Sequence, residues 1–332
     1  MKLTSKKIVV TGGAGFIGSH LVDALAEEHD VVVLDNLSSG KLENLSRAVA
    51  TRRVSIHFWD LRQKEGLAEL LEGAGLVFHL ATQCLRLSIS SDASLVHEVN
   101  TTGTLNLLKA CLNACIDKFI YVSSSEVYGT AKTVPMTEEH PLDPTTIYGA
   151  SKLTGEIYTR VYHQMYGLPA VIVRPFNTYG PRAHFEGYSG EVIPKFVVRV
   201  SGGKPPVIFG SGKQTRDFTY VSDVVQGIML AAKSLPVGQV VNVACGREVS
   251  VQEIANSVIG RAEANFLRPV YSAERPGDVM RHFADTRLAK SALGFHPQIS
   301  FQNGLTLYMD WFQREFAQKI EQCVAAEVER NW

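Results

Sequence analysis

Apolar and polar positions change period along this chain. Short runs rich in β-branched residues alternate with longer stretches whose apolar positions recur every three or four residues. The runs are "KIVVT" (7–11), "VVVLD" (31–35), "VSIHF" (54–58), "LVFHLA" (76–81), "KFIYVS" (118–123) and "AVIVRP" (170–175). The stretches between them predict helices near 16–28, 64–72, 94–115 and 148–166. Strand–helix alternation at this spacing means βαβ units, hence a parallel sheet with helices on both faces. The strands are almost continuously apolar, as strands covered on both faces must be. The fold class expected is therefore α/β, a doubly wound parallel sheet.

The pattern breaks after Pro175. Glycine and proline cluster in "NTYGPRAHFEGYSG" and "SGGKPPVIFGSGK", and the later elements are short and mixed, ending in a helix near 302–328. This predicts two units: residues 1–175 as a nucleotide-binding sheet domain, and 176–332 as a smaller mixed α/β substrate domain. Within the second, "VSDVVQGIMLAAKS" (221–234) and "VVNVA" (240–244) read as a helix and strand that return to the sheet, an excursion over 221–245.

Composition narrows the function classes. The 332 residues are 45% hydrophobic and 20% charged, an ordinary globular balance. Lys plus Arg equals Asp plus Glu at 33 each, so no net field draws nucleic acid or an anionic membrane. Five cysteines without paired CxxC spacing suggest a reduced, cytoplasmic compartment and no zinc or other metal site. No apolar run approaches the roughly 20 residues of a membrane helix.

"TGGAGFIGSH" follows the first strand and opens the first helix. Gly13-x-Gly15-x-x-Gly18 is the spacing of a Rossmann dinucleotide loop. On this reading the first glycine makes the turn, the second lets backbone approach a pyrophosphate, and the third packs helix on strand. The helix N-terminus then faces the phosphates. Asp35 ends the second strand, where a carboxylate binds both ribose hydroxyls of NAD and repels the 2′-phosphate of NADP. Asp60 and Leu61, after the third strand, are candidates for the adenine.

"YGASK" sets Tyr148 and Lys152 four residues apart, on one face of a helix. The ammonium favours the phenolate, which suits Tyr148 to act as a general base. Upstream, "SSSEVYG" (123–129) places a hydroxyl and a carboxylate at the end of a strand, where open α/β sheets build their sites.

In this order, with "FHLA", "RPFNTYGPR", "GSGKQTRDFTYVSDVV" and "RPGDV", these motifs resemble the extended short-chain dehydrogenase/reductase family, in its NAD-dependent nucleotide-sugar epimerase, dehydratase and decarboxylase group. The resemblance covers almost the whole chain. It implies a tightly held NAD that takes hydride from a sugar C4 hydroxyl and later returns it. Gly12, Gly15, Phe16, Ile17, Gly18, Asp35, Asn36, Asp60, Leu61 and Leu80 would surround the cofactor, together with Tyr148 and Lys152. Tyr148 would be the base, Lys152 would hold the nicotinamide ribose, and Ser124 would share the hydroxyl. Ser125, Asn177, Val192, Phe209, Arg216 and Arg275 would hold a nucleotide-diphosphate sugar, UDP-linked by preference: Phe209 at the base, the two arginines on the diphosphate.

Two positions leave the reaction open. Glu126 is either the second base of a 4,6-dehydratase, removing the C5 proton after C4 oxidation, or a carboxylate capping the turn. A 4-epimerase of UDP-glucose or UDP-glucuronate type needs no such base, and a UDP-glucuronate decarboxylase also carries Ser-Glu here. Hexose dehydratases that act on deoxythymidine-linked sugars have an aspartate where this chain has Ser125. Arg86, in "HLATQCLRLSI", either reads a sugar carboxylate or is solvated. His184 reads as a loop histidine. Related enzymes pair the helices near 94–115 and 148–166 across a two-fold axis, so a homodimer is expected, with Leu105, Leu108 and Leu112 as a buried stripe.

Overall fold

The computed structural model describes residues 3–4, 6–83, 93–187, 190–275 and 278–329. Arg86 lies outside the described residues. Seven parallel strands form the central sheet: β1 (Lys7–Thr11), β2 (Val31–Asp35), β3 (Val54–Phe58), β4 (Ala74–His79), β5 (Lys118–Val122), β6 (Ala170–Pro175) and the strand Val240–Val243. Their spatial order is Val240–Val243, β6, β5, β4, β1, β2, β3. The winding reverses between β1 and β4, which opens a crevice at their carboxyl ends.

Residues of β1, β2, β4 and β6 are almost all buried, because helices cover both sheet faces. Helices Phe16–Leu25 and Val221–Ser234 pack on one face through Leu21, Val22, Leu25, Val224 and Ile228. Helices Gly103–Asn113 and Ile147–Tyr166 cover the other through Leu107, Leu108, Cys111, Tyr158 and Tyr162. A second core gathers residues from the C-terminal half, with Phe196, Phe218, Phe301, Tyr308 and Phe312 at its centre. It packs beneath the short strands Asn177–Tyr179 and Thr215–Tyr220, at the mouth of the crevice.

Three elements differ from the sequence pattern. Strand β4 begins at Ala74, ahead of "LVFHLA", because its register against β1 shifts between Lys7 and Ile8. It ends at His79, where Leu80 N–H and Ala81 N–H turn to Thr11 O (3.0 Å) and Thr11 Oγ1 (3.3 Å). The helix near 94–115 is interrupted by a π-turn at Glu98–Thr102 around buried Asn100, whose amide meets Gln83 and Ser151. Such turns are commonly found at functional sites. The last helix divides into Phe301–Phe316 and Ile320–Ala326 across a 3₁₀ turn. No helix among the described residues is long and apolar enough to cross a membrane.

Candidate active site

The crevice over β1 and β4 is a cleft of ≈ 320 Å³. The glycine loop forms its floor. Gly12, not Gly13, makes the turn, with φ +70, and a Cβ there would lie 2.6 Å from Ala81 N. Gly13 instead packs on the side chain of Val33. A Cβ on Gly18 would sit 2.1 Å from Gly12 O, so only glycine brings the helix this close to the loop. A Cβ on Gly15 would meet nothing nearer than Gly12 O at 3.3 Å; that face opens to the cleft. The bare backbone and the helix N-terminus above it fit a pyrophosphate.

At the end of β2, Asp35 is buried, with Ala14 N–H and Leu37 N–H donating to its two oxygens at 2.9 and 2.8 Å. Burial pushes its pKa up, and these hydrogen bonds oppose the shift. Each oxygen keeps a second lone pair able to accept from a ribose hydroxyl. Asn36 Nδ2 donates to Asp60 (3.0 Å), and Arg62 grips the same carboxylate at 2.8 and 3.0 Å, holding its pKa down at about 2.

Beyond Val122 the chain leaves the sheet in a 3₁₀ turn, Ser125–Tyr128. Ser124 caps it, its Oγ accepting from Glu126 N–H at 3.2 Å. Three anchors fix the far side of the turn: Tyr128 Oη donates to Asn242 Oδ1 (2.7 Å), Arg174 Nη1 donates to Tyr128 Oη (2.9 Å), and His282 Nε2 donates to Gly129 O (2.8 Å). The helix Ile147–Tyr166 starts against this turn. Thr146 Oγ1 caps it by accepting from Gly149 N–H (3.0 Å), and a Cβ on Gly149 would lie 2.6 Å from Glu126 O. The glycine of "YGASK" thus lets Tyr148 and Lys152 approach Ser124 and Glu126.

Tyr148 is half-buried in the cleft wall. Lys152, one turn on, is buried, and its ammonium donates to Val122 O at 2.7 Å over the Tyr121 ring. Burial lowers its pKa to about 7. Beneath the floor, buried His79 joins Thr11 Oγ1 (2.7 Å) to Thr104 Oγ1 (2.8 Å); desolvation keeps it neutral by lowering its pKa well below the ordinary value.

A smaller chamber of ≈ 120 Å³ adjoins the cleft. Glu126, Asn177 and Val192 line both spaces. Phe209, Arg216 and Arg275 line the chamber, with the Arg275 guanidinium 5.7 Å from the Phe209 ring centroid. Arg216 already pairs with Asp278 (2.6 Å) and donates to Thr215 O and Val279 O, so an anion there must share it.

The fold therefore gathers Gly12, Gly15, Phe16, Ile17, Gly18, Asp35, Asn36, Asp60, Leu61, Leu80, Ser124, Ser125, Glu126, Tyr148 and Lys152 around one cleft. His184 also lies in its wall. Sequence reading missed Lys195 and Arg199, which line the chamber from helix Val192–Ser201. Their i, i+4 spacing in "PKFVVR" was the available signal.

Comparison with known proteins agrees with this geometry. The NAD dependent epimerase/dehydratase family matches residues 8–244. A UDP-glucose 4-epimerase of Mycolicibacterium smegmatis is 35% identical over 312 residues, covering 93% of this chain and 99% of its own. A UDP-N-acetyl-alpha-D-glucosaminuronate decarboxylase of Bacillus cytotoxicus is 34% identical over 327 residues, covering 93% and 98%. The structure of DesIV, a dTDP-glucose 4,6-dehydratase from Streptomyces venezuelae with NAD and TYD bound, superposes with a TM-score of 0.89 at 32% identity, covering 96% of this chain and 99% of that one. A glycine cradle under an acidic strand end, a buried lysine one turn from a tyrosine, and a family match that spans both place the chain among the enzymes of the NAD-dependent epimerase/dehydratase family.

Proposed function

We propose that the protein oxidises C4 of a UDP-linked sugar transiently and then eliminates water across C5 and C6, as a 4,6-dehydratase-type lyase. The observation that carries this reading is the place of Glu126, which lines both the cleft and the chamber. NAD, when bound on the glycine loop, supplies the acceptor for the hydrogen lost from C4 and returns it later. Tyr148 Oη takes the proton of the C4 hydroxyl, and Ser124 Oγ shares that hydroxyl's hydrogen bond. Lys152 would hold the nicotinamide ribose, and its charged form favours the phenolate. The new ketone makes the C5 proton acidic, and Glu126 removes it; with Ser125 in place of a second carboxylate, Glu126 also protonates the departing C6 hydroxyl. Arg275 and Arg216 favour a diphosphate in the chamber, with Phe209 against the base.

A 4-epimerase is the second reading. It is favoured by Ser125, since a turn with one carboxylate suffices for a reaction that needs no second acid or base, and by the similarity to the mycobacterial epimerase. Incubation with UDP- and dTDP-hexoses and UDP-glucuronate separates the outcomes by product mass: loss of water, loss of carbon dioxide, or unchanged mass with new stereochemistry. Tyr148→Phe is expected to abolish formation of reduced cofactor. Glu126→Gln is expected to preserve oxidation and slow elimination by roughly 10²–10⁴-fold, so that near-ultraviolet absorbance accumulates. Wild-type turnover by Glu126→Gln refutes the dehydratase reading and leaves the epimerase.

We also propose a homodimer. Leu108 is buried within the protomer, but Leu105 is 36% exposed, and on the neighbouring helix Ile157, Val161 and Met165 form an exposed apolar stripe at i, i+4, i+8. The four cysteines among the described residues are unbonded, which supports a reducing, cytoplasmic setting.

A further inference from the structure

The last described residues line the substrate chamber. After helix Ile320–Ala326 the backbone pairs with the loop beside the cleft: Gly187 N–H donates to Ala326 O at 2.9 Å, and Glu327 bridges Gly187. The carboxylate of Glu327 is buried between Lys195 Nζ and Arg199 Nη1, at 3.1 Å from each. Lys195 also donates to the carbonyls of Val328 and Glu329, and Glu329 reaches Arg199 at 4.0 Å. Two chamber cations on one helix are thus engaged by a segment more than 120 residues away in sequence.

Charge explains why this matters to a ligand. The described residues lining the chamber include four cations, Lys195, Arg199, Arg216 and Arg275. They also include four carboxylates, Glu126, Asp278, Glu327 and Glu329. With the strap of residues 327–329 in place, the formal charges of these described lining residues cancel, which weakens the pull of the cations on an anion. Without Glu327 and Glu329 the described lining cations outnumber the described carboxylates by two, which suits the two phosphates of a nucleoside diphosphate. Glu126 sits on an internal turn and Asp278 beside an internal strand, whereas Glu327 and Glu329 are carried by the strap.

We propose that residues 327–329 are an affinity- and specificity-setting strap, whose carboxylates compete with the phosphates of the nucleotide ligand for Lys195 and Arg199. The inference rests on the nucleotide-sugar reading of the chamber. Weak ligands with little charge leave the strap seated. A diphosphate recruits the two cations by displacing it, so the strap discriminates by ligand charge rather than by the sugar.

Calorimetric titration of the intact chain with UDP, UMP and uridine tests this. Glu327→Gln is expected to tighten UDP about 10-fold or more, the worth of one charge-assisted contact, to tighten UMP less, and to leave uridine unchanged. Glu329→Gln, at a half-exposed position that does not threaten folding, is expected to shift the same ligands in the same order by smaller factors. Equal weakening of all three ligands by Glu327→Gln means the segment only supports the chamber wall, and overturns the proposal. Unchanged UDP affinity in both variants overturns it too. If wild type and variants bind none of the three, the nucleotide reading itself falls and takes the inference with it, a result distinct from binding without charge dependence.

Discussion

Replacing Arg174 with Met tests how the turn bearing Ser124 and Glu126 is held. Arg174 and Glu156 have no exposed side-chain surface, and they meet through paired contacts of 2.9 and 2.7 Å. Arg174 also donates to Tyr128 Oη (2.9 Å) and Glu138 O (3.0 Å), with its guanidinium 4.8 Å from the Tyr128 ring centroid. Removing one partner of a buried pair costs about 3–5 kcal/mol, because the other charge stays buried. Here Arg160, partly exposed and 3.2 Å from Glu156, retains some compensation, so the lower end, about 3 kcal/mol, is expected. Replacing both charges, as Glu156→Leu with Arg174→Met, removes the uncompensated carboxylate. It is expected to recover part of that loss, the remainder being the cost of the unpaired Tyr128 and Glu138 acceptors. Urea unfolding of the wild type, both single variants and the double variant measures the coupling. Turnover is the second readout: the Tyr128 hydroxyl loses its Arg174 donor in the double variant as well, so the turn bearing Ser124 and Glu126 stays loosened and the rate stays low. Additive losses in the double variant refute the buried-pair argument. Full recovery of the rate along with stability refutes the link from Arg174 to the turn.

Lys152 makes stability depend on pH. Its folded pKa, about 7, lies below the ordinary 10.5, so between these values the unfolded chain binds one more proton, and stability from this group rises with pH. Relative to Lys152→Met, the wild type is expected to gain up to about 1.4 kcal/mol per pH unit across that window and nothing below it; parallel urea midpoints from pH 6 to 9.5 refute this. For the proposed dimer, Ile157→Glu with Leu105→Glu is expected to yield monomers by light scattering at micromolar concentration, since both positions are exposed in the protomer; an unchanged mass places the interface elsewhere.

The parts of the site that were legible in sequence are those whose partners are close along the chain. The glycine loop, Asp35 and "YGASK" each carry their own geometric reason: close backbone approach, a strand end, one helix face. Even there, the turn fell on Gly12 rather than Gly13, because Ala81, from the neighbouring strand end, leaves no room for a Cβ at Gly12. Strands β1, β2 and β6 were legible because burial on both faces marks nearly every residue, and the edge strand β3 because β-branched Val54 and Ile56 alternate with exposed Ser55 and His57. The bounds of β4 and the π-turn around Asn100 were not, since they answer to the register against Lys7 and Ile8, to Thr11, and to Gln83 and Ser151, which no local pattern names.

The same division runs through the chemistry. On the proposed reading, oxidation at C4 would use Ser124, Tyr148 and Lys152, which one turn and one helix bring together, so the family can be read from short motifs. On the same reading, the fate of the oxidised sugar would depend on residues whose state is set at a distance. Glu126 stands on a turn anchored by Arg174, Asn242 and His282, residues 48, 116 and 156 positions further on. Arg216 is shared with Asp278, and Lys195 and Arg199 with Glu327. A carboxylate at the Glu126 position acts as a base only if those anchors hold it toward the sugar, and a chamber cation attracts phosphate only as far as its internal partner lets go. Enzymes with nearly the same motifs can therefore run an epimerisation, an elimination or a decarboxylation. On the reading proposed for this chain, the difference would lie in how rigidly the Glu126 turn is held and how readily the chamber's carboxylates yield to a ligand, both of which are properties of long-range contacts rather than of the motifs.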